Sequence, residues 1–207
     1  MELIKACLVF GYKRIRTGLV AAVKTLSAIT LILILMAGLG IITRSAYASL
    51  CVWVNPDRDI KNFFPGAGSY STELRKYSKE QEAVMVKRLG APLDPDENEF
   101  KFYHVKKQNQ VVGTVLTHQA RGKYGAVQTV VAIANDGKIV GIYVQRHREP
   151  INLNEESFLK QFKGKTAKDP ITVGQDIRAI SGGEQSCQAV AFSVKKIIIA
   201  YDVLGTK

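Results

Sequence analysis

Val127-Gln128-Thr129-Val130-Val131-Ala132-Ile133-Ala134-Asn135-Asp136-Gly137-Lys138-Ile139-Val140-Gly141-Ile142-Tyr143-Val144-Gln145 is the stretch that decides the fold class. Two runs rich in β-branched residues are joined by Asn-Asp-Gly, whose residues tolerate the positive φ angles of a tight hairpin, so the spacing predicts two antiparallel strands over 127–134 and 138–145. Upstream, Phe100, Phe102 and His104 alternate with lysines and Tyr103, Asn109 offers a turn, and Val111 to His118 is again β-branched. The period of two therefore holds from Phe100 to Gln145, with the glycine segment Gly122-Lys123-Tyr124-Gly125 between strands, and it predicts a sheet of about four strands.

Helical patterns bracket the strands. Ile60, Phe63 and Phe64 before Pro65-Gly66-Ala67-Gly68 read as a short helix stopped by a turn. Ser78 with Gln81 forms a capping-box pattern, and Ala83, Val84, Val86 and Leu89 give the helix it starts an apolar face that ends at Gly90. Asn154, Glu155 and Glu156 open a short helix carrying Phe158, Leu159 and Phe162, closed by Gly164. Gln188 to Leu204 is an amphipathic helix with Val190, Val194, Ile197, Ile198 and Tyr201 on or near one face. Runs of strands flanked by helices imply an α+β domain rather than a doubly wound one. Residues Pro92 to Asn98 read as an acidic, solvated connection whose spacing fits no EF-hand loop.

The N-terminal quarter has a different composition. Thr25 to Thr43 carries no charge for about 19 residues, enough to cross the roughly 30 Å hydrocarbon layer as a helix. Lys5, Lys13, Arg14, Arg16 and Lys24 precede it, so the positive-inside bias keeps the N-terminus cytoplasmic. The expected organisation is a basic cytoplasmic segment (1–24), a transmembrane helix (25–43), a linker (44–56) and one domain (57–207) on the extracytoplasmic, periplasmic side of the cell membrane. Ala46-Tyr47-Ala48 also has the spacing that signal peptidase accepts, which leaves cleavage after Ala48 as the alternative.

The net charge is +11, of which +4 lies before residue 25. The remaining Lys and Arg are scattered, with no basic run interleaved with aromatics and no nucleic-acid module, so the excess implies a solvated face or attraction to anionic headgroups rather than nucleic acid. Cys7, Cys51 and Cys187 form no CxxC pair, no haem-attachment motif and no His/Cys spacing for a metal. No nucleophile with an adjacent base is legible, and neither Walker lysine nor dinucleotide fingerprint occurs, so no catalytic residue is assigned.

The chemistry concentrates at Ile180-Ser181-Gly182-Gly183-Glu184-Gln185-Ser186-Cys187, where a glycine turn opens into the last helix. A helix start offers unpaired backbone N–H groups, and glycine lets a ligand come close to the backbone. The order of Gly125, Gly137, His147-Arg148-Glu149-Pro150, Phe158-Leu159-Lys160-Gln161-Phe162-Lys163-Gly164-Lys165 and this loop, with the entry phrase Phe63-Phe64-Pro65-Gly66-Ala67, resembles the FMN-binding domain family. That family includes the flavin subunits of Rnf-type electron-transfer complexes and of the sodium-translocating NADH:quinone reductase. The resemblance covers residues 57–204 and implies an extracytoplasmic flavodomain working with other subunits of a membrane electron-transfer complex.

In the family the late motif reads Ser-Gly-Ala-Thr, and FMN is attached to the threonine. Here Ser181 and Gly182 match, Gly183 replaces the alanine and Glu184 replaces the acceptor. Arg178 stands where the flavin transferase favours an acid, and Asp176 lies two residues too early. Glutamate cannot form the threonyl phosphoester, and its charge opposes a phosphate. The chain therefore reads either as a flavodomain that holds FMN through Ser181, Gly182, Gly183, Glu184, Gln185 and Ser186, with Tyr124, Gly125, His147 and Glu149, or as a flavin-free structural relative. Ser186 is a candidate displaced acceptor. His147 and Glu149 either orient the flavin, as the resemblance implies, or pair with Arg146 and Arg148 at the surface. His104 and His118 are read as surface residues of their strands, and Cys187 as a small packed residue.

Overall fold

The computed structural model describes residues 52–95 and 97–205. Its elements in chain order are α1 (Pro56–Phe63), β1 (Ser69–Lys76), α2 (Lys79–Leu89), β2 (Glu99–Lys107), β3 (Gln110–Arg121), β4 (Ala126–Ala134), β5 (Ile139–Arg146), α3 (Glu156–Leu159) continued by a 3-10 turn (Lys160–Phe162), and α4 (Glu184–Gly205). The expected transmembrane stretch 25–43, like Cys7 and Cys51, lies outside the described residues. Among the described residues no helix is long and apolar enough to cross a membrane.

The strands pair antiparallel in the order β1-β2-β3-β4-β5, a meander in which each strand lies beside its sequence neighbour. The α+β class expected from the strand and helix pattern holds, with one strand more than the period-two run shows. β1, Ser-Tyr-Ser-Thr-Glu-Leu-Arg-Lys, is an edge strand exposed along nearly its whole length, so it has no apolar alternation to read. At the 134–138 hairpin the Gly137 amide donates to the Ala134 carbonyl at 2.9 Å, and Gly137 takes φ +80°, the conformation that this turn requires.

Both faces of the sheet are covered. α4 lies across β3 and β4, with α2 beside it, over a core containing Phe102, Leu116, Val131, Ile133, Val190, Val194, Ile197 and Ile198. On the opposite face α1 and Trp53 cover Tyr103, Val105, Val115, Val130 and Ala132. β4 contributes to both cores, which explains why it is buried without a break from Val127 to Ile133. The predicted apolar face of α2 shifts by a residue: Met85 and Leu89 are buried, whereas Ala83 and Val84 face outward. The Ser78–Gln81 capping box forms as expected, and Gly90 closes the helix at φ +73°.

Four-residue α3 is too short to persist alone. It is held by Phe158 and Phe162, both buried and edge-to-face at 5.3 Å, each contributing about 1.5–3 kcal/mol through burial. Beside it Asn154 clamps the free edge of β5. Its side-chain oxygen accepts from the Val144 amide at 2.8 Å, and its amide nitrogen donates to the Val144 carbonyl at 2.9 Å. On the α1 side, Gln145 binds the Val54 amide and the Val52 carbonyl, pinning the chain where it enters the domain.

Candidate functional site

The glycine loop before α4 is built by its own backbone. The Gly183 amide donates to the Ile180 carbonyl, the Cys187 amide to the Gly183 carbonyl, and the Ile180 amide to Cys187 Sγ at 3.4 Å. Gly182 takes φ +75°. Gly183 is buried, and a β-carbon there would stand 2.0 Å from Ile151 Cδ1, so the start of α4 packs directly on the segment following Pro150. Cys187 is a packed residue, as expected, and burial pushes its thiol pKa up, which keeps it protonated and unreactive. Glu184 is exposed and turns back on the loop, its Oε1 accepting from the Gly182 amide at 3.2 Å.

Glu149 ties three motif segments into one place. It is buried, with Oε1 accepting from the Tyr124 amide at 2.9 Å and Oε2 accepting the Ser186 hydroxyl in a very short hydrogen bond. Gly122 is necessary for this approach, because a β-carbon there would lie 2.5 Å from Glu149 Oε1 and 2.8 Å from Val127 Cγ2. The Gly122 amide closes its loop on the Gly125 carbonyl at 2.7 Å.

The segments 122–125, 147–149 and 181–187 therefore meet, although they lie far apart in sequence. Tyr124, Gly125, Glu149, Gly183 and Ser186 are at or beside the meeting point, while Ser181, Gly182, Glu184 and Gln185 are exposed around it. The surface pairing of Glu149 with Arg146 or Arg148 is not what forms; the carboxylate points inward. Ser186, the candidate displaced acceptor, is 2% exposed and donates its hydroxyl to that carboxylate.

Two clefts open beside this node. One, of about 880 Å³, is lined by Ser181, Arg178, Asp176, Glu155, Phe158 and Gln161. The other, of about 710 Å³, includes Gly125, Tyr143, Arg146, His147, Arg148 and Asn154. Both volumes fall in the roughly 300–1,000 Å³ range of small-molecule sites. Asp176 is occupied structurally. Burial raises its pKa, but the Lys165 ammonium at 2.7 Å and the amides of Thr172 and Ile171 outweigh burial and hold it below the usual carboxylate range.

A further charged group, missed in the sequence, lies under α4. His118 is buried and not on the strand surface, with Nδ1 2.9 Å from Ser193 Oγ. The 92–98 segment is correspondingly more than a solvated connection. Its Asp94 and Glu97 reach the buried Lys196, Asp94 at 3.1 Å and Glu97 in closer contact, and one ligand-type atom each from Asp94, Glu97 and His118 lies within 4.8 Å of the others. The Lys196 ammonium already supplies the positive charge that these carboxylates need. Parity with Leu116 on β3 was the available signal that His118 faces inward.

Glu149→Leu is expected to lower unfolding free energy by about 2–4 kcal/mol, since it leaves the partly buried Tyr124 amide and the buried Ser186 hydroxyl without an acceptor. Glu149→Gln, which keeps one acceptor, is expected to cost about half of that. Urea unfolding of the two variants checks the ordering, and equal losses would contradict the bridging role.

Residues 122–199 match the FMN-binding domain family. The chain is also 31% identical over 107 residues to a subunit of the proton-translocating ferredoxin:NAD(+) oxidoreductase complex of Clostridium ljungdahlii, a match covering 47% of this chain and 57% of that protein. The chain thus spans little more than half the length of this curated relative. The matched region contains Gly122, Tyr124, Glu149 and Ser186, so the convergent node lies inside the stretch that matches the family. The resemblance first carried by the glycine loop and the His147–Pro150 segment is shown, and FMN is the cofactor that it supports.

Proposed function

Taking residues 122–199 as an FMN-binding domain, we propose that this chain is a membrane-anchored subunit of a respiratory electron-transfer complex that holds FMN without a covalent bond. The single observation that supports it best is the Glu149 bridge, which joins the Tyr124 loop to Ser186 on α4 and sets two clefts of cofactor size beside one node. A carboxyl group buried between two glycine loops is costly unless its partners are fixed, so the bridge gives the node one geometry. Attachment at the 184 position is closed to chemistry by the glutamate, and Ser186 is engaged by Glu149.

When bound, the flavin supplies the redox chemistry. The chain supplies position. Glu149 fixes the two loops against each other, and Ser181 and Gln185 stand exposed at the mouth. His147 lines the second cleft, and its Nδ1 is buried without a hydrogen-bond partner. The uncharged stretch 25–43 anchors the chain, the domain stands on the extracytoplasmic side, and the other subunits of the complex donate and accept the electrons.

The second reading, a flavin-free structural subunit, is favoured by one observation: the Glu184 carboxylate takes the Gly182 amide that an anion at the helix start would use. Titration of the detergent-solubilised full chain with FMN separates the two. Saturable quenching of flavin fluorescence at micromolar FMN, reversed by dialysis, is the expected result. Absence of binding at high micromolar FMN in folded protein would leave the structural reading.

A further inference from the structure

We propose that the cleft lined by Gly125, Arg146, His147 and Arg148 is a phosphomonoester site, and that it takes the FMN phosphate in place of the start of α4. This rests on the reading that the domain binds FMN, and it adds where the charged end of that ligand goes. The start of α4 is a poor place for a dianion in this chain: Glu184 adds a negative charge there and closes on the Gly182 amide. The neighbouring cleft at Ser181 contains the carboxylates of Glu155 and Asp176 as well as Arg178.

The Arg148 cleft has the opposite character. Its charged lining residues are Arg146 and Arg148, both exposed, and among the described residues neither has a carboxylate within ion-pair distance. Glu149, the acid next to Arg148, is turned inward and saturated by Tyr124 and Ser186. His147 Nδ1 is a buried polar atom with no partner in a wall of the same cleft. Asn154 and Gln145, the polar neutral groups nearby, are already committed to Val144 and to Val52 and Val54.

Geometry favours close approach too. Gly125 has no side chain, takes φ +152°, and a β-carbon there would meet nothing nearer than Arg148 Cδ at 3.8 Å. Tyr143, which also lines the cleft, carries the guanidinium of Arg58 4.2 Å above its ring, and that group is paired with Asp59. Two guanidiniums without a carboxylate partner match a phosphate in charge, and each offers the forked donors that phosphate oxygens accept. The same chemistry would accept the phosphate of a lipid headgroup, and the experiment separates the two sources.

The test compares FMN with riboflavin on the full chain in detergent. Wild type is expected to prefer FMN at least about tenfold, and Arg146→Gln with Arg148→Gln to bring the ratio close to one while riboflavin affinity stays put. Glu184→Gln is expected to move the ratio by less than about threefold, since the phosphate lies elsewhere. A preference that survives the double substitution, or a large gain in FMN affinity from Glu184→Gln, would overturn the site and leave FMN binding intact. Absence of any flavin binding, with arginine-dependent sedimentation on vesicles containing phosphatidic acid, would reassign the cleft to lipid. No binding of flavin or vesicle would contradict both the site and the proposed function.

Discussion

Lys196→Met is expected to lower the unfolding free energy by about 3–5 kcal/mol at neutral pH. Lys196 is 2% exposed and its ammonium faces Glu97 and Asp94. Methionine fills much the same volume, so the loss comes from the charge and not from a cavity. Asp94 is 72% exposed and can return to water, which makes Glu97 the residue that carries the cost. Burial already raises the Glu97 pKa, and Lys196 is what opposes that rise. Without it the carboxyl protonates more readily, so the penalty should shrink as the pH is lowered. Adding Glu97→Gln to Lys196→Met should recover most of the loss in a double-mutant cycle. Additive losses would show that the buried pair is not the cause.

His118 is expected to make the domain acid-labile in a defined window. Burial, followed by the charge of Lys196, pushes its pKa down to about 3, with Asp94 opposing weakly. The folded value lies below the unfolded value of about 6.5, so folding expels a proton between them. The stabilisation is complete above about pH 6.5 and is lost as the pH falls toward about 3, by up to about 1.4 kcal/mol per unit. Glu97 acts in the opposite direction at the top of this window: its raised pKa means that stability falls as the pH rises through its range. The interval free of the opposing Glu97 contribution is therefore roughly pH 4.5 to 3, below the value from which the Glu97 pKa is raised. His118→Gln, which keeps a partner for Ser193, should make the stability curve shallower there than in wild type, the remaining slope coming from paired carboxylates such as Asp176. Parallel stability curves for the two proteins would contradict a neutral, buried His118.

These two residues mark the limit of what could be read in the sequence. The strands from Phe100 to Gln145 and the Asn135–Gly137 turn were legible because β-branched alternation and turn chemistry are local signals. β1 was not, because an exposed edge strand such as Ser69–Lys76 needs its partner β2 to define it. Met85 replaced Val84 at the α2 interface because the packing partner sets the helix rotation. Lys196 sits in a helix buried on nearly every side, and nothing in its neighbours announces that Glu97, across the 92–98 loop, will reach it.

At the site the pattern is similar. The glycine loop, Tyr124, Gly125 and the His147–Glu149 segment were recognisable as candidates through their order along the chain, which resembles the FMN-binding family. The inward turn of Glu149 and the capture of the Ser186 hydroxyl were not recognisable, since both depend on Gly122 leaving room from another strand end. The replacement at Glu184 could be read as chemistry, but its contact with the Gly182 amide could be seen only in three dimensions.

The most direct test of the central claim is an intact mass and an absorption spectrum on the full-length protein purified from membranes. A flavin spectrum with a mass equal to the unmodified chain is the result expected for a non-covalent FMN domain. A clean, folded protein with no flavin and no uptake of added FMN would contradict the account, as would a mass increase equal to FMN minus water, which requires the covalent acceptor that this chain lacks at position 184.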